Sequence, residues 1–297
     1  MKLGRTTIAV ALLTACAFPV HATVEWFGRA EAAGVYSDSG LEDDGSGLSS
    51  ASSLGLRGAF GVEATDIHGS TRVEVTSRYV DYRDDRRRDR FSNELELRRR
   101  FNLSGDWLLD IIASAASNIW TVEAPFADQW GVQTRATYRP EGQVRLRGYL
   151  GYLQRYYDDA GRTRGEGFQV GGDYRYRSGP NTVDVDADHL VVNADNGFYD
   201  NERTTLTAAY TRRFNPKFEG SLGVRARRTV YDNRPADPLT GSGERRDWSV
   251  RPEVVLTYMP SDPFEVALSY RYTNRDSNDD ARDVDDQSVG LRFTYRF

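Results

Sequence analysis

The sequence predicts an all-β fold: a closed, antiparallel, up-and-down transmembrane barrel of about fourteen strands, with twelve or sixteen left open. Apolar and polar residues alternate with a period of two through almost the whole chain, and a strand sends successive side chains to opposite faces. The connections between these segments alternate long and short, as in barrels whose tight turns gather on one rim and whose loops gather on the other. The mean hydropathy of -0.63 is far too polar for a bundle of membrane helices, yet one face of nearly every segment is greasy.

Residues 1–22 stand apart. Lys2 and Arg5 precede the apolar run at 8–13, and Val20-His21-Ala22 offers a small-x-small cleavage site. This is a secretory signal peptide, too short to span a bilayer, and it leaves a barrel of residues 23–297. Leu13-Thr14-Ala15-Cys16 is a competing lipoprotein box, with Cys16 acylated. Cleavage after Ala22 instead removes the only cysteine and with it disulfide and thiol chemistry.

The mature segments then follow one grammar. In 24–36, Trp26, Gly28, Ala30, Ala32 and Tyr36 share one parity against Glu25, Arg29 and Glu31. A polar stretch, 37–52, leads to 54–63, greasy on even positions. A short turn at 66–70 enters Val73, Val75 and Tyr79, opposed by Arg72, Glu74, Thr76 and Arg78. After the solvated loop 83–90, Leu95, Leu97 and Phe101 oppose Glu94, Glu96, Arg98 and Arg100. The turn 102–106 opens the face Trp107, Leu109, Ile111 and Ala113. The stretch 117–128 reads as a loop, but Ile119, Trp120, Val122 and Phe126 are apolar. It either folds into the mouth as a constriction or lies at the membrane interface.

Trp130, Val132, Ala136 and Tyr138 oppose Gln133, Arg135 and Arg139. After the turn 140–142, Val144, Leu146, Leu150, Tyr152 and Tyr156 oppose Arg145, Arg147 and Arg155. Beyond the loop 158–166, Phe168, Val170, Tyr174 and Tyr176 oppose Gln169, Asp173, Arg175 and Arg177. The turn 178–181 leads to Val183, Val185, Ala187 and Val191, opposed by Asp184, Asp186 and Asp188. The loop 195–202 precedes Leu206, Ala208, Tyr210 and Phe214, opposed by Arg203, Thr205, Thr207, Thr211 and Arg213. The turn 215–217 then gives Phe218, Leu222, Val224 and Ala226 against Glu219, Ser221, Arg225 and Arg227. A Pro- and Gly-rich loop is expected at 232–247. Trp248, Val250, Val254, Leu256 and Tyr258 follow, opposed by Ser249, Arg251, Glu253 and Thr257. The turn 260–263 enters Phe264, Val266, Leu268, Tyr270 and Tyr272, opposed by Glu265, Ser269, Arg271 and Thr273. After the acidic loop 274–285, Val289, Leu291, Phe293, Tyr295 and Phe297 close the chain against Ser288, Gly290, Arg292, Thr294 and Arg296. Each segment is expected to be near the roughly 9–11 residues that a tilted strand needs to cross a bilayer.

Energetics decides which parity meets lipid. The 39 basic residues include only two lysines, Lys2 and Lys217, and the arginines crowd the polar parity. An arginine at the lipid midplane costs about 2–4 kcal/mol, so ten turned outward would cost roughly 20 kcal/mol or more. That exceeds the net stability of about 5–15 kcal/mol of an ordinary fold. The candidate pore-lining residues are therefore Arg72, Arg78, Arg98, Arg100, Arg135, Arg145, Arg147, Arg155, Arg175, Arg177, Arg203, Arg225, Arg227, Arg251, Arg271 and Arg292. Arg99, Arg212 and Arg228 break the pattern near expected strand ends, where snorkelling is cheap. Aromatics at Phe101 and Trp107, Phe214 and Phe218, and Tyr258 and Phe264 supply an interfacial girdle.

Two readings of the wall remain. Arginines can pair with the acids as stiffening ladders, or they can form a track favouring carboxylated or phosphorylated solutes. The planar guanidinium fork suits both. A formal net charge of -5 argues against a nucleic-acid partner. No cofactor or metal is expected. The acidic loops at 41–44 and 276–280 lack the glycine and terminal glutamate of an EF-hand, leaving only loosely held divalent ions or lipopolysaccharide bridged by them. A hydrolase is the rival class. His68-Gly69-Ser70 has a His-x-Ser spacing but falls in a short turn, and His189 lies on the lipid-facing parity.

The closing run Val289, Leu291, Phe293, Tyr295 and terminal Phe297 resembles the C-terminal recognition strand of Gram-negative outer-membrane barrels. That resemblance implies the outer membrane as location, outer-membrane lipid and lipopolysaccharide as surroundings, and reading of Tyr295 and Phe297 by the barrel assembly machinery. The last hairpin, from Tyr270-Arg271-Tyr272-Thr273-Asn274-Arg275-Asp276-Ser277-Asn278 to Phe297, is similar to a β-barrel porin family of proteobacteria. It implies a channel for small hydrophilic solutes and carries no defined site residues. Some members of that family accompany exopolysaccharide secretion, so a barrel for polymer export is the alternative it brings.

Overall fold

The computed structural model describes residues 22–37, 51–82, 89–121, 124–140, 142–237, 241–279 and 282–297. The signal peptide with the Cys16 box, the acidic loop at 41–44, most of the loop 83–90, Val122 and Asp280 lie outside the described residues. Fourteen strands follow one another: β1 (Thr23–Ser37), β2 (Ala51–Asp66), β3 (Gly69–Tyr82), β4 (Arg90–Asn102), β5 (Trp107–Thr121), β6 (Ala124–Tyr138), β7 (Val144–Tyr157), β8 (Arg164–Ser178), β9 (Asn181–Ala194), β10 (Asn201–Asn215), β11 (Phe218–Asp237), β12 (Ser242–Ser261), β13 (Phe264–Ser277) and β14 (Val284–Arg296). Each pairs antiparallel with its sequence neighbours, and β1 pairs with β14 to close the barrel. Closure leaves no sheet edge unsatisfied, which a strand protein in lipid requires.

The large apolar residues of one parity stay uncovered. Trp26 and Leu150 are each 67% exposed and Phe168 63%. In water a continuous apolar band of this kind would drive association; in a bilayer it meets a matching solvent. The band ends in aromatics at the short-turn rim. Trp107 stacks on Tyr138 and Phe218 on Tyr258, each with ring centroids 4.8 Å apart, and Phe264 lies 4.8 Å from Tyr295. Gly179, with φ of 57°, shapes the β8–β9 turn in a region that residues with a Cβ avoid.

The seam explains the chain's last residue. The Phe297 N–H donates to the Gly28 carbonyl at 3.0 Å, and the Gly28 N–H donates to the Phe297 carbonyl at 2.7 Å. The Phe297 ring then lies directly on Gly28, where an added Cβ would sit 2.3 Å from its Cζ. Only a glycine leaves that space.

Two expectations need correcting. The strands are 13–20 residues long rather than 9–11. Pairing runs through most of the supposed loops at 117–128 and 232–247, so β5–β6 and β11–β12 rise as extended hairpins. The cause is that hairpin pairing satisfies backbone groups above the membrane without any apolar alternation to announce it. Arg228 is consequently inside β11 rather than near its end, and its guanidinium lies 5.9 Å from the Trp248 ring. Arg99 matches its expectation better: at the short-turn rim it donates to Thr71 Oγ1 at 2.9 Å and pairs with Asp66 at 3.3 Å.

Candidate functional site

The polar parity lines the space enclosed by the barrel. One cavity of about 740 Å3 is bordered by Glu31 of β1, Arg57 of β2, Arg78 of β3, Glu94 of β4, Arg271 of β13 and Arg292 of β14. Residues from both sides of the closing seam facing one space place this parity inside. A smaller niche of about 140 Å3, bordered by Glu94, Gln129, Gln133, Arg135 and Gln169, opens from β4 to β8.

The candidate arginines fall into groups by partner. Arg98 pairs with Glu96 at 2.7 Å, Arg100 with Asp110 at 2.8 Å, and Arg271 with Glu253 at 2.7 Å. Asp173 accepts from Arg145 Nη2 at 2.9 Å and from Arg147 Nε at 2.5 Å. Arg72 pairs with Glu74 while its guanidinium lies 3.9 Å over the Phe27 ring, and Arg175 pairs with Asp184. Arg292 stands 3.8 Å from Glu265, which also takes Arg296 at 2.6 Å. These pairs are cross-strand or two residues apart on one strand, the positions whose side chains share a face.

A second group meets neutral groups. Arg135 Nη2 donates to Gln133 Oε1 at 2.9 Å, and Arg155 Nε donates to Gln129 Oε1 at 2.8 Å. Arg203 Nε is buried with no hydrogen-bond partner among the described residues. Arg225, Arg227 and Arg251 lie on the same inward parity with contacts of their own. Arg177 is exposed at the short-turn rim, one residue from the end of β8. It belongs to the mouth rather than to the depth of the wall.

The periodicity of charge missed a different part of this wall. Leu153, Leu190 and Val192 point inward yet form a buried apolar cluster. Their floor is glycine. A Cβ at Gly165 would meet Tyr157, at Gly167 the Leu153 side chain at 2.9 Å, and at Gly171 the Tyr149 hydroxyl at 2.4 Å. Three large β7 side chains therefore lie flat over β8. Gly165, Gly167 and Gly171, on one parity and interrupted only by Gln169, are the one sequence signal that could have announced it.

The long-loop rim is drawn inward and bonded. Of the apolar residues in 117–128, Ile119 packs with Ala127, Tyr157, Ala194 and Tyr199 and also borders the large cavity, while Val122 and the Trp120 side chain lie outside the described residues. A short 3-10 helix, Gly197–Tyr199, brings Tyr199 onto Tyr157 with centroids 4.2 Å apart. Arg234 of the raised β11 donates to the Phe198 carbonyl at 2.7 Å and lies 4.0 Å over the Phe198 ring. In the β7–β8 loop the Thr163 hydroxyl and N–H, at 2.6 and 2.8 Å, hold the Asp159 carboxyl below the usual range.

The rival catalytic residues do not assemble. His68 sits in the β2–β3 turn, where its N–H donates to Asp66 Oδ1 at 2.7 Å and the Asp66 carboxylate is also engaged by Arg99. His189 is half-buried on the lipid-facing parity and bonds Thr204 at 2.9 Å. Among the described residues no three His, Cys, Asp or Glu side chains converge where a metal ion could sit.

No protein-family model matches the chain, and no curated protein matches it. Solved structures do. The outer-membrane channel DcaP of Acinetobacter baumannii is similar with a TM-score of 0.55 and 15% identity, over 93% of this chain and 97% of that one. OprB of Pseudomonas putida has a TM-score of 0.54 and 10% identity, over 99% and 96%. A bacterial polysaccharide outer-membrane secretin has a TM-score of 0.53 and 10% identity, over 91% and 98%. At these identities the likeness is one of fold: the chain is a closed fourteen-stranded antiparallel barrel, and its fold is similar to that of these outer-membrane proteins.

Proposed function

We propose that this protein is an outer-membrane channel through which small hydrophilic solutes diffuse passively, with a preference for anions. The observation that carries this reading is the enclosed, charge-lined space of about 740 Å3 inside a wall whose outer face is apolar. Most short-turn arginines are paired with carboxylates, but Arg155 is held by an amide and keeps its charge. The fold is shared with a channel of Acinetobacter baumannii, which supports conduction without naming a solute. Planar-bilayer recording tests it: stepwise conductance with a reversal potential of anion-preferring sign under a KCl gradient is expected. Cation preference removes the anion reading, and no conductance removes the channel.

On this reading lipid and lipopolysaccharide surround the apolar band, and the assembly machinery reads Tyr295 and Phe297. Removing Phe297 would deprive the β1–β14 seam of its last backbone bonds and lower the yield of heat-modifiable barrel. The second reading is polymer export, favoured by the equal likeness to the polysaccharide secretin. Loss of surface polysaccharide in a deletion strain, with solute uptake unchanged, would prefer it. On this reading neither His68 nor His189 is catalytic, and unchanged activity in His68→Ala is expected.

A further inference from the structure

We propose that Arg57 and Arg78 form a binding subsite for a small sugar acid on the β2–β3 part of the interior wall. The two guanidiniums hold its carboxylate, and Glu94 and Ser92 hold its hydroxyls. This subsite rests on the channel reading and adds to it a place where one class of solute stops.

Strand register sets Arg57 directly opposite Arg78, and both side chains border the cavity of about 740 Å3. Residues so related on one face have Cβ atoms roughly 4.5–5.5 Å apart, and like charges placed there destabilise the sheet. Among the described residues neither guanidinium makes a hydrogen bond or an ion pair. Glu31, opposite Arg57 on β1, is engaged by Arg29 at 3.1 Å, and Arg78 faces Ser92 on β4. Across the same cavity Arg271 is matched by Glu253 at 2.7 Å, and Arg292 stands 3.8 Å from Glu265. The Arg57–Arg78 pair lacks such partners. An oxyanion seated between the two removes their repulsion and gains charge-assisted hydrogen bonds. The planar forks favour the paired oxygens of a carboxylate or phosphate over chloride.

Glu94 selects between those two anions. It borders the same cavity and is the diagonal neighbour of Arg78, at a separation of roughly 7–8 Å. Its opposite residue, Thr76, donates its hydroxyl to Glu74 at 3.3 Å instead. Among the described residues the Glu94 carboxylate has no hydrogen bond or ion pair. An ionised carboxylate only accepts, so it repels a bare phosphate and welcomes hydroxyl donors. A solute with a carboxylate at one end and hydroxyls along its body meets both demands. Ala33, Gly55, Ala267 and Ser269 border the cavity with little bulk, which leaves room for a sugar ring.

The test compares block of KCl current by glucuronate, glucose and inorganic phosphate in wild type, Arg57→Gln, Arg78→Gln, Glu94→Gln and Arg213→Gln. Arg213→Gln removes the same charge from the polar parity outside the cavity, opposite Glu219 near the short-turn rim. Glucuronate is expected to block the wild type at ten-fold lower concentration than glucose or phosphate. That block should weaken ten-fold or more in Arg57→Gln and Arg78→Gln and less than three-fold in Arg213→Gln. Glu94→Gln should weaken block by glucuronate and strengthen block by phosphate. No block by glucuronate, or equal weakening in all three arginine variants, overturns the subsite and leaves the channel standing. Phosphate blocking as well as glucuronate, or Glu94→Gln without effect, overturns the assignment to a sugar acid. Should the wild type not conduct, the channel reading fails by itself, and calorimetric titration of the detergent-solubilised barrel with glucuronate decides the subsite. There, wild-type binding lost in Arg78→Gln supports it, and no binding or unchanged binding sinks it. Heat-modifiable mobility on gels establishes that each variant is folded, and either of Arg57→Gln and Arg78→Gln carries the comparison if the other is not.

Discussion

Towards the short-turn rim Arg100, Arg145, Arg147 and Arg175 each face a carboxylate, whereas towards the long-loop rim Arg155 leans on an amide. The same residue type, on the same parity of the same sheet, therefore serves two ends. Where a charge is matched it stiffens the wall, because a charge-assisted pair constrains two strands at once. Where it is not matched, the protein keeps a standing electrostatic demand that a mobile anion can meet. Variants at the carboxylate-paired arginines and at Arg155 should therefore fail in different ways.

The largest effect is expected at Asp110, which is only 2% exposed beneath Arg100. Asp110→Asn leaves a partly buried guanidinium uncompensated, and a loss of about 3 kcal/mol is expected. Tryptophan-monitored urea unfolding in phospholipid vesicles measures it. An effect near zero would mean that the short-turn pairs are ornamental and would erase the contrast. Asp173→Asn comes next, at about 2 kcal/mol, because one carboxylate there serves both Arg145 and Arg147. Its reversal potential should move further toward anion preference, since two cations are released.

At the other rim the stability effects shrink. Gln129→Ala removes a neutral acceptor and should cost about 1 kcal/mol in the same unfolding experiment. Gln129→Glu gives Arg155 the partner that the short-turn arginines have. Stability is expected to change by less than about 1 kcal/mol, while anion preference falls. A variant that unfolds early but keeps its selectivity would reverse the assignment of roles. The smallest effect is ionic. Raising salt from about 0.1 M to 1 M shortens the Debye length from about 10 Å to about 3 Å. Anion preference should decline while unfolding midpoints of the short-turn pairs shift little, because partly buried pairs are less screened.

Much of this was legible beforehand. Alternation placed Leu150, Phe168 and Leu222 on the exposed apolar parity and Arg145, Asp173 and Arg225 on the opposite one, since a period of two sends successive side chains to opposite faces. The turn at Gly179 and the closing run to Phe297 were likewise readable from local residue types. The raised hairpins were not. Residues 117–128 and 232–247 pair through backbone groups alone, and their bulges between Ala116 and Thr121 and between Tyr231 and Pro235 erase the side-chain rhythm. Parity also could not say which arginine meets which acid, nor that Leu153, Leu190 and Val192 would turn inward over a glycine floor.

The sequence by itself determined a closed antiparallel barrel, with an apolar and a polar parity and short turns alternating with longer connections. Those properties follow from alternation, turn chemistry and the cost of charge in lipid, all of which act within one or two residues. Only the tertiary structure decided the pairing of Asp173 with both Arg145 and Arg147 and the seating of Phe297 on Gly28. These depend on strand register and on side chains brought together around a closed circle, where a shift of two residues preserves every alternation and changes every partner.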